Sequence, residues 1–207
     1  MVDLKEFEQK AADLRVLGMK ISIGQDTVYE KYWDEDCRRN IYSASKSFTS
    51  CAVGFAVQEG LIDLDERLMD AFKEDIPNNP DENLKKATVK DLLTMTLGQE
   101  KGFLMGKQRP RMEEQNWVKA SLAIPFVYEP GTHFVYNNVG PYLAGILVQR
   151  RAGCDLLSYL TPRLLKPLGI RKTIWEVDPE GNTFGAGGLF LTVSELHKLG
   201  MFYLQNG

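Results

Sequence analysis

Two short stretches hold the side chains best suited to covalent chemistry. In NIYSASKSFTSCAVGFAVQEG, residues 40–60, Ser43 stands three positions before Lys46, the only charged residue between Asn40 and Gln58. On a helix, residues three apart share a face. A serine in the first turn lies where free N–H groups and the helix dipole favour negative charge. A lysine held in apolar surroundings has its pKa lowered, because burial disfavours the charged form. A neutral amine one turn away can then accept the serine's proton. The second stretch, residues 128–153, reads YEPGTHFVYNNVGPYLAGILVQRRAG. Tyr136-Asn137-Asn138 is the only Tyr-x-Asn in the chain, as Ser43-Ala44-Ser45-Lys46 is the only Ser-x-x-Lys. A phenol beside a lysine cation ionises more easily and can shuttle protons. The Asn138 amide can orient a substrate carbonyl or the lysine. Each motif alone has a plain structural reading: a lysine near a helix start can extend to water, and a buried tyrosine with a turn asparagine is common.

The elements that must position these residues can be read from spacing. Residues 1–18 form a charged amphipathic helix with Leu4, Phe7, Ala11 and Leu14 on one side. MKISIG and TVYEKYW alternate as strands with QD between them, a hairpin. The Ser43–Lys46 helix runs to Gly60 as its C-cap. LIDLDERLMDAF gives a short turn and helix, and IPNNPDENLKKA a loop. TVKDLLTMTLG carries Thr88 and Asp91 in capping-box positions and Gly98 as its stop. Residues 99–115 read as a charged loop. Further helices are predicted over 117–123, 141–152 and 156–165, and a last one in TVSELHKLGMFYLQNG with Thr192 and Glu195 as its cap. Strands come first and helices follow, an α+β order. The predicted organisation is one unit over 1–207: an N-terminal helix and β-hairpin over 1–42, and a mainly helical lobe over 43–207 carrying the motifs.

Bulk properties exclude several function classes. The 207 residues carry 43% hydrophobic and 26% charged residues and a net charge of -3. This is an ordinary globular composition without the electrostatic footprint of a nucleic-acid or anionic-membrane binder. No apolar run approaches the roughly 20 residues that span a bilayer. The N-terminus lacks the apolar core of a signal peptide. Cys37, Cys51 and Cys154 have no motif spacing and read as free thiols, which predicts a reducing, cytoplasmic setting. No Cys/His/Asp cluster has metal-ligand spacing, so neither a metal nor another cofactor is expected. His133 and His197 lack a motif context and are predicted to be exposed. Lys107, Arg109 and Arg111, balanced by Glu113 and Glu114, read as a solvated loop. Phe103, Leu104 and Met105 read equally as pocket wall or tucked-in loop. Gly185, Gly187 and Gly188 read as close backbone packing near the site, and Trp33, Trp117 and Trp175 as core.

Together the motifs resemble the serine β-lactamase and penicillin-binding-protein superfamily, in particular its class C β-lactamase, D-aminopeptidase and family VIII-like esterase branch. YSASKSFTS, TVKDLLTMTLG, PGTHFVYNN, LLKPLGI and GAGGLFLTVSEL follow that branch's pattern in order, from about Ile21 to Gly207. The resemblance implies a β-lactamase-like (DD-peptidase/transpeptidase-like) fold. It implies catalytic roles for Ser43 as acylated nucleophile, Lys46 as its proton acceptor and Tyr136 as general base and acid, with Asn138 as substrate and lysine partner. The implied activity is that of a serine hydrolase acting on a small-molecule ester, β-lactam or amide.

The branch's third motif, Lys-Thr-Gly or His-x-Gly on a late strand, has no match here: KTI at Lys172 and HKL at His197 do not fit. The expectation is therefore an N-terminal portion of the fold or a short form. Such a chain lacks C-terminal strands of the sheet, and with them one oxyanion donor. A lone hairpin is marginal and its open edge invites pairing. This predicts a homo-oligomer or a partner chain completing the sheet. The competing expectation is a non-catalytic fragment or pseudoenzyme serving as a binding or interaction module.

Overall fold

A computed structural model describes residues 4–11 and 13–207. Residues 1–3 and 12 of the predicted first helix lie outside the described residues. Helix α1 covers Lys5–Ala11. Leu14, predicted on its apolar side, falls in the turn beyond it and is exposed. Strands β1 (Gly18–Ile23) and β2 (Asp26–Tyr32) form the hairpin, with Met19 opposite Lys31 and an irregularity between Ile21 and Ser22. The tight turn is Gly24-Gln25 rather than Gln25-Asp26. Gly24 takes φ +59°, a left-handed conformation that glycine adopts without the Cβ penalty.

A second two-stranded sheet is not legible from alternation. β3 (Arg39–Asn40) pairs antiparallel with β4 (Phe190–Leu191), and Ile41 N–H extends the pairing to the Leu189 carbonyl at 2.9 Å. This short sheet ties the N-terminal region to the far end of the chain, immediately before the Ser43 turn. The hairpin itself docks on the last helix, α8 (Val193–Leu204). Ser22 Oγ meets His197 Nε2 at 3.0 Å and Tyr32 Oη meets Ser194 Oγ at 2.9 Å. His197 is therefore half-buried against β1, not exposed, whereas His133 is exposed and stacks on Tyr128. The predicted Thr192–Glu195 box caps α8: Glu195 N–H donates to Thr192 Oγ1 at 3.0 Å, and Glu195 Oε2 accepts from Thr192 N–H at 3.1 Å.

The core is helical. α2 (Ser45–Gln58), α4 (Val89–Thr94) and α6 (Val139–Ala152) pack together. α6 is buried along Val139–Gln149, as its apolar sequence requires, for a helix apolar all round is a core helix. Its packing against α2 buries Phe48, Ala52, Leu143 and Leu147. Each large side chain of this kind contributes roughly 1.5–3 kcal/mol. Gly140 lets α6 approach α4, because a Cβ there would lie 2.3 Å from the Leu92 carbonyl oxygen. α4 ends at Met95, which takes the left-handed conformation, three residues before the predicted Gly98 stop. Gly60 does end α2, with φ +71°. Short helices α3 (Leu68–Ala71), α5 (Trp117–Leu122) and α7 (Leu156–Leu160, continued by a π turn over Thr161–Leu165) complete the lobe. Trp117 and Trp175 are core residues, and Trp33 packs edge-on against Phe7.

Candidate active site

Ser43 sits one step earlier than predicted. Tyr42–Ala44 form a single 3-10 turn and α2 begins at Ser45. The turn is held by a buried hydroxyl. Ser45 Oγ donates to the Tyr42 carbonyl at 2.6 Å and accepts from Leu189 N–H at 3.1 Å. Tyr42 itself takes φ +47°, and its N–H donates to Asn40 Oδ1 at 2.7 Å. These bonds present Ser43 outward at the mouth of the helix while Lys46, one turn on, points into the protein.

The four residues predicted from the two motifs are brought together from sites 90 and more positions apart. Tyr136 Oη donates to Ser43 Oγ at 2.8 Å and Lys46 Nζ donates to the same oxygen at 3.2 Å. Lys46 Nζ also donates to Asn138 Oδ1 at 2.8 Å and to the Ala186 carbonyl at 2.5 Å. Asn138, the N-cap residue of α6, in turn donates its Nδ2 to the Leu104 carbonyl at 2.9 Å. The Lys46 ammonium lies 5.3 Å from the centre of the Tyr136 ring.

This geometry fixes where a proton can go. An ammonium has three N–H bonds and the neutral amine two and a lone pair. The Asn138 and Ala186 oxygens can only accept, so both remaining N–H bonds of a neutral Lys46 are committed to them. Its lone pair is then left facing Ser43. Burial pushes the Lys46 amine below its ordinary range; the neighbouring phenol opposes this and the Arg109 charge adds to it. Burial alone would raise the Tyr136 phenol, but the Ser43 hydrogen bond and the Lys46 charge outweigh it and bring it below the usual phenol range. Two bases of lowered affinity for protons thus converge on one hydroxyl. Tyr136 is 45% exposed and forms the solvent side of the group.

The surroundings include residues that motif reading missed. The Ala186 and Leu104 carbonyls are backbone atoms and carry no side-chain signature. Leu104 is fully buried with φ +56° and is tucked in, whereas Phe103 is half-buried and lines a cavity with Gln108, Ile124 and Val127; Phe103 O accepts from Asn138 N–H at 3.2 Å. The glycine run packs backbone against the site as expected. Gly185 O accepts from Thr49 Oγ1 at 2.7 Å, Gly187 O from Trp175 Nε1 at 2.8 Å, and Gly188 takes φ +82°. Arg109 corrects the solvated-loop expectation. It pairs with Glu176 at 3.1 Å and lies 4.3 Å from the Phe184 ring centre, whereas Lys107 and Arg111 are exposed. A cavity of about 520 Å³ lined by Gly106, Arg109, Pro110, Trp117 and Glu176 adjoins this pair and does not include Ser43. Among the described residues no group of His, Cys, Asp and Glu could hold a metal ion, and no helix is long and apolar enough to cross a membrane.

Comparison with known proteins bears on this arrangement. The model of the beta-lactamase family matches residues 5–206. The chain is 31% identical over 157 residues to monacolin J acid methylbutanoyltransferase of Aspergillus terreus, covering 66% of this chain and 37% of that protein. It is 31% identical over 150 residues to lovastatin esterase of Penicillium rubens, covering 62% and 37%. Among solved structures it superimposes on the octameric penicillin-binding protein homologue from Pyrococcus abyssi with TM-score 0.76, 22% identity, 99% of this chain and 57% of that one. A class C beta-lactamase mutant gives TM-score 0.73 at 18% identity, covering 97% and 65%. At such identities the structural likeness is one of fold, and it agrees with the predicted α+β, β-lactamase-like architecture. The chain spans 37% of the length of these curated relatives.

Proposed function

This chain belongs to the beta-lactamase family, and we propose that it works by serine acyl transfer, with Ser43 as the acylated nucleophile, Lys46 and Tyr136 as its proton-handling pair, and Asn138 as the residue that orients Lys46 and the substrate. The observation that carries this reading is the position of Ser43 Oγ, 2.8 Å from Tyr136 Oη and 3.2 Å from Lys46 Nζ, with Lys46's other hydrogen bonds committed to fixed carbonyls.

Acylation then runs as follows. The Ser43 Oγ–H bond breaks and its proton passes to the Lys46–Tyr136 pair as Oγ attacks the acyl carbon. The bond to the leaving group breaks, and that group takes a proton from Tyr136, the member of the pair that faces solvent. Water attacks the acyl-Ser43 ester, releases the acid and returns the proton to Ser43. The Ser43 backbone N–H, at the entry of α2, supplies a donor toward the developing oxyanion. The substrate class is a small-molecule ester, amide or β-lactam. Similarity to a methylbutanoyltransferase and an esterase, as those relatives are named, favours esters.

Intact-protein mass spectrometry tests this after incubation with a p-nitrophenyl ester, a chromogenic cephalosporin and a fluorophosphonate. A stoichiometric adduct on the wild-type chain that is absent from Ser43→Ala supports the reading, and the reagent that reacts indicates the substrate class. A folded protein that forms no adduct with any of the three overturns it and leaves the binding-module reading.

A further inference from the structure

Glu176 occupies an unexpected place. Its side chain crosses Gly188 so closely that a Cβ there would lie 2.5 Å from Glu176 Cβ, and its N–H donates to the Gly188 carbonyl at 2.9 Å. The carboxylate so held divides its two oxygens. Oε1 accepts from Asn40 Nδ2 at 3.1 Å and Oε2 accepts from Arg109 Nη1 at 3.1 Å. The other end of the Asn40 amide accepts Tyr42 N–H at 2.7 Å, in the residue whose φ of +47° aims Ser43. A bulky side chain persists in the left-handed region only when its surroundings over-determine it. Here an unbroken line of hydrogen bonds runs from the 99–115 loop, through Glu176 and Asn40, to that backbone position.

We propose that Arg109, Glu176 and Asn40 form a positioning relay that locks the Tyr42 turn, and so the reactive orientation of Ser43, to the loop carrying Arg109. None of the three is a catalytic residue; they act through the turn. The inference rests on Ser43 being the nucleophile for its effect on rate, but not for its effect on the turn.

The relay has a polarity that can be reversed. In Glu176→Gln the amide keeps one acceptor oxygen, so it cannot serve both Arg109 and Asn40. In Asn40→Asp two carboxylates face each other. In the variant carrying both substitutions, the new carboxylate at position 40 accepts from Tyr42 N–H and from the new amide at position 176. The oxygen of that amide accepts from Arg109, and the net charge is unchanged.

Two readouts apply to each variant: the rate of fluorophosphonate labelling at Ser43, and hydrogen–deuterium exchange of the Tyr42 amide by NMR. Each single variant should label roughly 10–100-fold more slowly, as expected for a misplaced reacting atom, and should lose protection at Tyr42. The double variant should recover both. Single variants that keep wild-type rate and protection overturn the relay. So does a double variant that fails to fold or folds without recovery. If the wild-type chain is never labelled, the nucleophile reading fails, while exchange at Tyr42 still decides the relay.

Discussion

Asn138 accepts an N–H of Lys46 at 2.8 Å and turns its own amide N–H toward the Leu104 carbonyl at 2.9 Å. The second bond fixes the first: with Nδ2 committed to a carbonyl, only the amide oxygen can face the lysine. An oxygen without charge leaves Lys46 free to become neutral.

That geometry predicts the outcome of Asn138→Asp. The carboxylate would keep an acceptor beside Nζ but add a negative charge, favouring the ammonium and raising the lysine pKa. The basic form would then appear only at higher pH. The acidic limb of Ser43 labelling should move to higher pH, and the rate below it should drop about tenfold for each pH unit the limb moves. Labelling rates across pH check this; an unmoved limb would mean that Lys46 does not titrate in the reaction.

Tyr136→Phe isolates the phenol. The ring stays over Lys46, while the 2.8 Å bond to Ser43 is lost. The labelling rate should fall by about 10²–10⁴, the usual contribution of a positioned acid–base. Because the hydroxyl lies on the solvent side of the group, stability should stay within about 0.5 kcal/mol of wild type. Thermal unfolding beside the rate measurement separates the two effects.

How far these relationships can be read from the sequence depends on whether side chains or backbone carry them. Ser43 and Lys46 are legible because helical spacing alone makes them neighbours. Their meeting with Tyr136 and Asn138 is legible only through the ordered motifs, since nothing in spacing brings together positions 93 apart. The Ala186 and Leu104 carbonyls are invisible because any residue type offers the same atom. β3 and β4, two residues each, are too short to alternate. The end of α4 escapes sequence reading because Met95 takes a conformation usually left to glycine, which makes Gly98 the natural stop. Arg109 reads as solvated because its partner Glu176 is 67 residues away.

The Arg109 charge pushes the Lys46 amine down, alongside the larger effect of burial. Arg109→Met removes that charge and leaves Glu176 without its cation. Both changes favour a protonated Lys46, so the acidic limb of Ser43 labelling should move to higher pH. The maximal rate should also fall through the Asn40–Glu176 connection, which makes the position of the limb the informative quantity. A limb moving to lower pH, or not at all, would contradict the assigned electrostatics.

Two glycines in the paired core helices should respond oppositely to alanine. Gly54, exposed on α2, has no neighbouring atom within 4 Å of an added Cβ. Gly54→Ala should therefore stabilise the fold by about 0.5–1 kcal/mol through reduced backbone entropy of the unfolded chain. At Gly140 the added Cβ would meet the Leu92 carbonyl at 2.3 Å. Helix propensity favours alanine there as well, but the clash is with backbone that cannot rotate away. Overpacking of this kind costs about 1–3 kcal/mol and should win. Relief requires α6 to move from α4, and α6 carries Asn138 at its N-terminus, so Gly140→Ala should also slow Ser43 labelling while Gly54→Ala leaves it unchanged. Denaturant unfolding and labelling rates on both variants check the pair. A stabilised Gly140→Ala variant would show that α4 and α6 are not in close contact, and with it that Asn138 is not held against Lys46 by this packing.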